Sequence, residues 1–263
     1  MKVLVTVTEV ADVAEDFEIH ENRIEEEYLE YELNEWDDYA VETAIRLAEN
    51  GIADEVVVAT IGPERVEETI RLPLAKGADR AIRVWDDGLA GRDVLDVETR
   101  ASVLSSIVEQ ESPELVFAGV QAADDGFGST GVALAREAGY QWAAVVNDFE
   151  LEEGDESARV HRELEGGFEE VTTVQLPAVF TIQTGINDPR YASLRGIRQA
   201  QSKDIDHLTR ADLGIEPDAE QRIDLATMEK PESSDEATYF EGDPGEQAVE
   251  LASLLSDSGV VGE

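Results

Sequence analysis

The residues best suited to chemistry form a run of small and polar side chains between Gly119 and Gly131. The run follows an apolar stretch, Glu114–Ala118, that is typical of a buried strand, and it leads into a helical pattern. Small residues let a ligand approach the backbone, and a helix start offers unpaired N–H groups and a positive dipole end. These features predict a phosphate or nucleotide site. The run matches neither the G-x-G-x-x-G nor the Walker pattern, so an ordinary strand-to-helix loop is the alternative.

A second segment of interest starts at Asn34. Apolar residues recur at helical spacing from Glu35 to Asn50, and Gly51 is a typical residue to end a helix. Asn34 is placed to cap the first turn, whose acidic residues suit the positive end of a helix. Taken alone, this segment predicts a well-capped helix with Trp36 in the core.

No other set of residues is arranged for catalysis or for a metal ion. The chain has no cysteine, which excludes disulfides, thiolate nucleophiles and iron–sulfur clusters. The histidines, His20, His161 and His207, lack the spacing of metal ligands. We therefore expect neither a catalytic residue nor a bound metal.

The elements that must position these segments alternate between strand and helix. The predicted strands are Val3–Val7, Glu55–Ile61, Arg80–Trp85 and Glu114–Ala118. The predicted helices are Glu35–Asn50, Gly62–Leu74, Val94–Glu109 and a segment ending at Ala138. This alternation predicts an α/β fold, with a mostly parallel, doubly wound, Rossmann-like sheet covered on both faces.

Antiparallel strands are expected to extend this sheet. A short hairpin is predicted at Phe17–Ile24, around Glu21 and Asn22. Four later strands are predicted to form a meander that closes the domain, at Ala143–Glu150, Ala158–Glu165, Glu169–Leu176 and Ala178–Ile182.

The composition changes near residue 212, which predicts two parts. Residues 1–212 are expected to form the nucleotide-binding domain. Residues 213–263 are expected to form an acidic arm from Glu216 to Gly242 and a short helix at Gly245–Leu255. Such an appendage cannot build its own core, so we expect it to pack on a partner subunit.

The charge of the chain is extreme. It has 263 residues, with 61 acidic against 20 basic residues and a net charge of −41. The acids occur in every segment between regular apolar runs, which a disordered acidic chain would lack. We interpret this as adaptation to concentrated salt, where the Debye length falls to about 3 Å and acidic surfaces repel little. Nucleic acid is excluded as a partner, because phosphate backbones need basic surfaces.

The sequence also bears on location. No apolar run approaches the ~20 residues of a membrane span. The first ten residues alternate like a strand, and their apolar run is too short for a signal peptide. We expect a cytoplasmic protein of a high-salt cell, not integral to a membrane.

The stretch Val160–Lys203 then identifies a family. It contains a hairpin turning at Gly166–Gly167, the sequence L-P-A-V from Leu176, and N-D-P-R-Y-A-S-L from Asn187 to Leu194. This order of motifs resembles the beta subunit of electron transfer flavoproteins, and the resemblance extends from Val3 to about Lys203. It implies a heterodimer that shuttles electrons from flavin dehydrogenases, such as acyl-CoA dehydrogenases, towards a quinone oxidoreductase. Such a subunit is an electron carrier and not an enzyme in its own right.

The resemblance also implies cofactors. The alpha subunit would hold most of an FAD, and this chain would hold AMP or, as in bifurcating relatives, a second FAD. Asp124-Asp125 and Thr130-Gly131 favour AMP, whereas Gly126 and Ser129 fit neither pattern. Glu35 and Trp36 stand where the family usually has Pro and Phe or Tyr. The implied cofactor-binding residues are Thr6, Asn34, Glu35, Trp36, Asp37, Ile61, Gly119, Gln121, Asp124, Asp125, Gly126, Gly128, Ser129, Thr130 and Gly131.

Partner contacts are implied at two places. Glu163, on the strand before Gly166–Gly167, is expected near an arginine of the alpha subunit beside the flavin. Its alternative is an ordinary surface ion pair with Arg162, worth at most ~1 kcal/mol. The loop carrying Pro189, Arg190, Tyr191 and Leu194 is expected to bind partner dehydrogenases.

Two other classes use similar sheets. One is a stand-alone adenine-nucleotide sensor of the universal-stress type, which would lack the Asn187–Leu194 segment and the arm. The other is an ATP pyrophosphatase or adenylating enzyme, which needs an early S-G-G-x-D-S-like loop. Thr6-Val7-Thr8-Glu9 does not supply that loop.

The charge leads to a first prediction. Dialysis into low salt should unfold the protein, because repulsion among its unscreened carboxylates grows as the Debye length increases. Circular dichroism should record the loss of helix. A full native signal at ~50 mM salt would contradict the halophilic interpretation.

Overall fold

Apolar runs buried on both faces form the central strands of a nine-stranded sheet. A computed structural model describes residues 1–92, 94–216, 223–230 and 238–260. The strands are β1 (Lys2–Thr6), β2 (Glu9–Val13), β3 (Ile19–His20), β4 (Arg23–Ile24), β5 (Leu29–Leu33), β6 (Glu55–Ile61), β7 (Arg80–Val84), β8 (Leu115–Gly119), β9 (Gln141–Glu150), β10 (Ser157–Leu164), β11 (Phe168–Gln175), β12 (Ala178–Ile182) and β13 (Ile205–Leu208). The helices are α1 (Glu35–Glu49), α2 (Val66–Lys76), α3 (Asp87–Ala90), α4 (Val97–Glu111), α5 (Thr130–Ala138), α6 (Leu194–Ala200) and α7 (Pro244–Asp257).

The main sheet has the strand order β11-β10-β9-β12-β8-β1-β6-β7-β13. Among the described strands of this sheet, β10 alone runs against the others. The prediction of a mostly parallel α/β fold with an antiparallel extension is therefore confirmed. The predicted hairpin around Glu21 and Asn22 is also confirmed, as the pair β3–β4.

Helices cover both faces of the sheet, as a doubly wound fold requires. Because side chains alternate along a strand, Val3 and Val5 face one core while Leu4 faces the other. Residues of α1, α2 and α6 fill the first core, and residues of α3, α4 and α5 fill the second.

The predicted meander is wrong in one respect. Ala178–Ile182 is a strand, but it lies between β9 and β8 and runs parallel to both. All five of its residues are buried, and only a central strand buries both of its faces. Beside it β9 bends at Val145, whose φ is +60° and whose N–H donates to Thr181 Oγ1 over 2.9 Å.

Two helix starts also differ from prediction. The side chain of Asp96 accepts a hydrogen bond from the Thr99 amide, so α4 begins at Val97 and not at Val94. Helix α2 begins at Val66 and not at Gly62, because residues from Pro63 first form a tighter turn closed by the Val66 amide.

The second unit of the chain, Glu229–Glu263, contains α7. The predicted C-terminal helix is confirmed, with a capping box between Asp243 and Glu246. Two parts of the predicted arm, residues 217–222 and 231–237, which include Pro217 and Pro231, lie outside the described residues. The boundary at residues 212/213 and the docking of the arm stay predictions.

Helix α6 packs closely on α2. The side chain of Ser193 caps α6 by accepting from the Gly196 amide. At the other end, Arg71 of α2 donates to the carbonyls of Ala200 and Lys203 over 2.5 and 2.8 Å. A Cβ atom on Gly196 would overlap the carbonyl oxygen of Ala75, so glycine is required at this contact.

This contact gives a second prediction. Gly196→Ala should lower the free energy of unfolding by about 1–3 kcal/mol, because the added methyl overpacks two backbones. Denaturant titration in concentrated salt would measure the loss. Gly91→Ala is the control, because its Cβ would lie at an ordinary 3.6 Å from the Asp87 carbonyl. Equal stability of the two variants would contradict the close packing of α6.

Candidate functional site

A cavity of about 290 Å³ opens at the carboxyl edge of β1, β6 and β8. The chain passes from β1 to β6 on one side, while β8 pairs with β1 on the other side. The cavity is therefore at the switch point of the sheet, where open α/β folds bind ligands. Its lining includes these predicted cofactor-binding residues: Thr6, Asn34, Asp37, Ile61, Gly119, Gln121, Asp124, Asp125, Gly128, Ser129, Thr130 and Gly131. Three other predicted cofactor-binding residues, Glu35, Trp36 and Gly126, do not line the cavity within the described structure.

The Asp37 carboxylate joins two walls of the cavity. It accepts hydrogen bonds from the amides of Thr8 and Gly119, each over 2.8 Å. The residue is 4% exposed, and burial raises the pKa of its carboxyl to about 7 although both amides oppose that shift. A Cβ on Gly119 would lie 2.6 Å from Asp37 Oδ1, so only glycine allows α1 to approach β8 this closely.

Asn34 serves the loop and not the helix that it precedes. It occupies the N-cap position of α1, but within the described structure its side chain makes no capping bond. Instead Nδ2 donates to the Gln121 carbonyl over 2.8 Å, and Oδ1 accepts from the Ala123 amide over 3.3 Å. The predicted side-chain cap is thus wrong, because a carboxamide offers both the donor and the acceptor that this loop backbone needs.

The loop from Gly119 ends at the start of α5. Gly126 and Gly128 have φ values of +60° and +61°, which glycine adopts without strain. In the part of the chain that is described, the Ser129 side chain caps no amide of α5, and the first turn of this helix has no acidic residue. The amides of this turn are thus available to an anion.

Arginines also line the cavity, and the sequence analysis missed them. Arg100 of α4 pairs with Asp125 over 2.5 Å, and its guanidinium lies 5.9 Å from the centre of the Phe127 ring. Arg65 pairs with Glu9 over 2.9 Å, and Arg92 is the third lining arginine. In a chain with only 20 basic residues, the closeness of Arg92 and Arg100 in the sequence is the signal that could have indicated them.

A second group of predicted residues lies along the flank of α1. Trp36 Nε1 donates to Gln183 Oε1 over 3.1 Å, where β12 leads into the next loop. Farther along that loop, Asn187 Nδ2 donates to the Tyr39 carbonyl and to Thr43 Oγ1 over 3.0 and 2.9 Å. The loop then exposes Tyr191 (98%) and Leu194 (78%).

Glu163 lies apart from both groups, on β10. It accepts a hydrogen bond from Asn147 Nδ2 over 3.0 Å. The alternative ion pair between Arg162 and Glu163 is wrong, because neighbouring residues of a strand point to opposite faces. Arg162 instead lies 3.5 Å from Glu170, its cross-strand partner.

The described residues offer neither a metal site nor a membrane span. They contain no group of acidic or histidine side chains that could hold a metal ion. None of their helices is long and apolar enough to cross a membrane.

Several known proteins have sequences similar to this chain. The model of the electron transfer flavoprotein domain matches residues 22–213. The electron transfer flavoprotein subunit beta of Methylophilus methylotrophus is 43% identical over 98% of both chains, so the similarity includes the C-terminal region. The corresponding subunits of Syntrophomonas wolfei and Mus musculus are 32% and 33% identical, covering 98% and 88% of this chain and 97% and 89% of theirs. The chain thus belongs to the electron transfer flavoprotein family, as one of its beta subunits.

Proposed function

We propose that this chain pairs with an alpha subunit to form a heterodimeric electron carrier. It would accept electrons from flavin dehydrogenases, such as acyl-CoA dehydrogenases, and pass them towards a quinone oxidoreductase. The observation that carries the proposal is the 43% identity to a beta subunit over 98% of the chain. The acidic surface further supports the interior of a high-salt cell as its setting.

The cavity is proposed to hold an adenine nucleotide. Its position at the switch point, its glycine loop and the uncapped amides of α5 fit a phosphate group. A volume of about 290 Å³ is at the lower end of the usual range for small-molecule sites. That size supports AMP in preference to a second FAD.

The proposed FAD, shared with the alpha subunit, would supply the one-electron chemistry. Side chains of this chain would bind and orient the nucleotides and keep water from them. Asp37 and Asn34 hold the loop that would enclose the AMP, and Trp36 is held at the other side of α1 by Gln183. With the redox chemistry assigned to the flavin and only binding assigned to the side chains, the chain fits an electron carrier better than an enzyme with its own side-chain catalyst.

The exposed loop at Leu194 is proposed to dock the dehydrogenases. Tyr191 and Leu194 are more exposed than a folded chain normally leaves such large side chains, and Ile197 of α6 lies nearby in sequence and is also exposed. The universal-stress alternative is not favoured, because it accounts for neither this loop nor the full-length similarity to beta subunits.

The nucleotide proposal is testable at Gly128. Gly128→Glu should abolish nucleotide retention, because a carboxylate at the start of α5 would repel the phosphate. The purified heterodimer would be denatured and the released nucleotides identified by chromatography. Substitution at Gly131 is unsuitable, since a Cβ there would lie 2.5 Å from Thr181 Cγ2 and would disturb packing.

Gly154→Glu is the matched control for Gly128→Glu. Gly154 also has a positive φ, of +88°, and has open space around it, so both variants carry the same charge and similar backbone strain. The two variants differ in where the added carboxylate lies, which is near the start of α5 only in Gly128→Glu. Equal nucleotide content in the two variants would reject the loop as the phosphate site.

The docking proposal is testable at Leu194. Leu194→Ala should raise the apparent Kd for a dehydrogenase about ten-fold or more, because burying a leucine in a partner is worth roughly 1.5–3 kcal/mol. Stopped-flow reduction of the heterodimer by an acyl-CoA dehydrogenase would measure this. The unfolding midpoint should not change, since the side chain is largely exposed. Leu72→Ala, on α2, is the control, and unchanged kinetics in Leu194→Ala would refute the docking role.

A further inference from the structure

One of the contacts that hold the loop exposing Leu194 against α1 is made by a buried carboxylate. Glu42 is 2% exposed and accepts three hydrogen bonds from Arg190. The Arg190 amide and Nε donate to Oε2 over 3.2 and 2.8 Å, and Nη2 donates to Oε1 over 3.1 Å. A guanidinium held in this forked way has a fixed orientation as well as a fixed position.

The pair is also favourable in charge. Burial alone would raise the pKa of Glu42, but hydrogen bonds from Arg190 and Arg46 outweigh it, so that the pKa lies below its usual range. Arg46 donates to Glu42 Oε1 over 2.8 Å. On its outer side Arg190 also binds Glu49, over 2.5 and 2.8 Å. The Glu42 carboxylate is therefore charged and fully engaged at neutral pH.

This arrangement fixes the loop at both ends. Arg190 lies four residues before Leu194, and the α6 helix that Leu194 opens is packed on α2 at Gly196. Between these two anchors, Tyr191 and Leu194 project into solvent. A buried support on one side and an exposed apolar group on the other is an arrangement that pre-forms a binding loop and lowers its ordering cost.

We propose that Glu42 is a positioning residue for partner docking, acting through Arg190. Arg190, which the sequence resemblance implied as a contact of the partner, would then act inside the chain and leave docking to Tyr191 and Leu194. This inference rests on the docking role proposed for Leu194. It adds that the conformation of the loop is set from α1, by a residue that touches no partner.

The test compares Glu42→Gln with Glu49→Gln in the heterodimer. Both variants remove one negative charge next to Arg190, but only Glu42 is buried and bonded to the Arg190 amide. Hydrogen–deuterium exchange of the peptide spanning residues 184–193 should be at least about ten-fold faster in Glu42→Gln, since breaking a buried charge pair is costly. Glu49→Gln should exchange like the wild type. Equal exchange in both variants would overturn the proposal.

A kinetic readout separates positioning from general damage. With an acyl-CoA dehydrogenase as the electron donor, Glu42→Gln should raise KM about ten-fold and leave kcat and nucleotide content unchanged, because the loop must first be ordered to dock. A fall in kcat with loss of nucleotide would show damage to α1 and refute the specific role.

Arg190→Gln covers the case in which Glu42→Gln folds poorly, because it changes the loop and leaves α1 unaltered, and the double variant tests whether Glu42 acts through Arg190. If Glu42 acts through Arg190, then Arg190→Gln and the double variant should show the same exchange rate as Glu42→Gln, whereas additive effects would refute the link. If the wild type accepts no electrons from the dehydrogenase, the proposed donor is wrong, but the exchange experiment still decides the role of Glu42.

Discussion

The Asp37 carboxylate ties together the ends of two neighbouring parallel strands, through the amides of Thr8 and Gly119. Both amides lie near the points where the chain leaves the sheet, and Asp37 supplies their acceptor, which matters because an unsatisfied buried amide is costly. Their satisfaction brings the first turn of α1 against the end of β8. The cavity, the loop that Asn34 holds and the course of α1 all depend on this contact.

From that point α1 extends along one face of the sheet, and its side contacts the loop that follows β12. Successive turns carry Trp36, Tyr39, Glu42 and Glu49, each bonded to the segment between Gln183 and Arg190. A helix is stiff over 15 residues because every turn is cross-linked by backbone hydrogen bonds. A single helix thus fixes the position of the cavity relative to the loop that exposes Leu194.

Many elements of the fold and of the cavity could be predicted from the sequence, because they depend on local patterns of residues. The strand Glu55–Ile61, the hairpin at Glu21-Asn22 and the glycine loop before α5 follow from apolar runs and turn residues, and the structure contains all three. Contacts between residues far apart in the sequence could not be predicted. The insertion of β12 beside β8 depends on competition between strands. The pairing of Arg100 with Asp125 depends on a helix and a loop that meet only after folding. Asn34 likewise forms hydrogen bonds with a loop almost 90 residues away in sequence.

Most of the few basic side chains that the structure describes form contacts within the chain. Lys76 is buried against Asp38, Lys203 donates to the carbonyls of Leu74 and Ala78, and Arg210 is buried against Asp86. Proteases of the trypsin type must draw an extended segment with an accessible lysine or arginine into their active site. Between residues 1 and 216 the described chain offers few such segments. Resistance of this part to these proteases should therefore depend on its remaining folded, and its digestion would report unfolding.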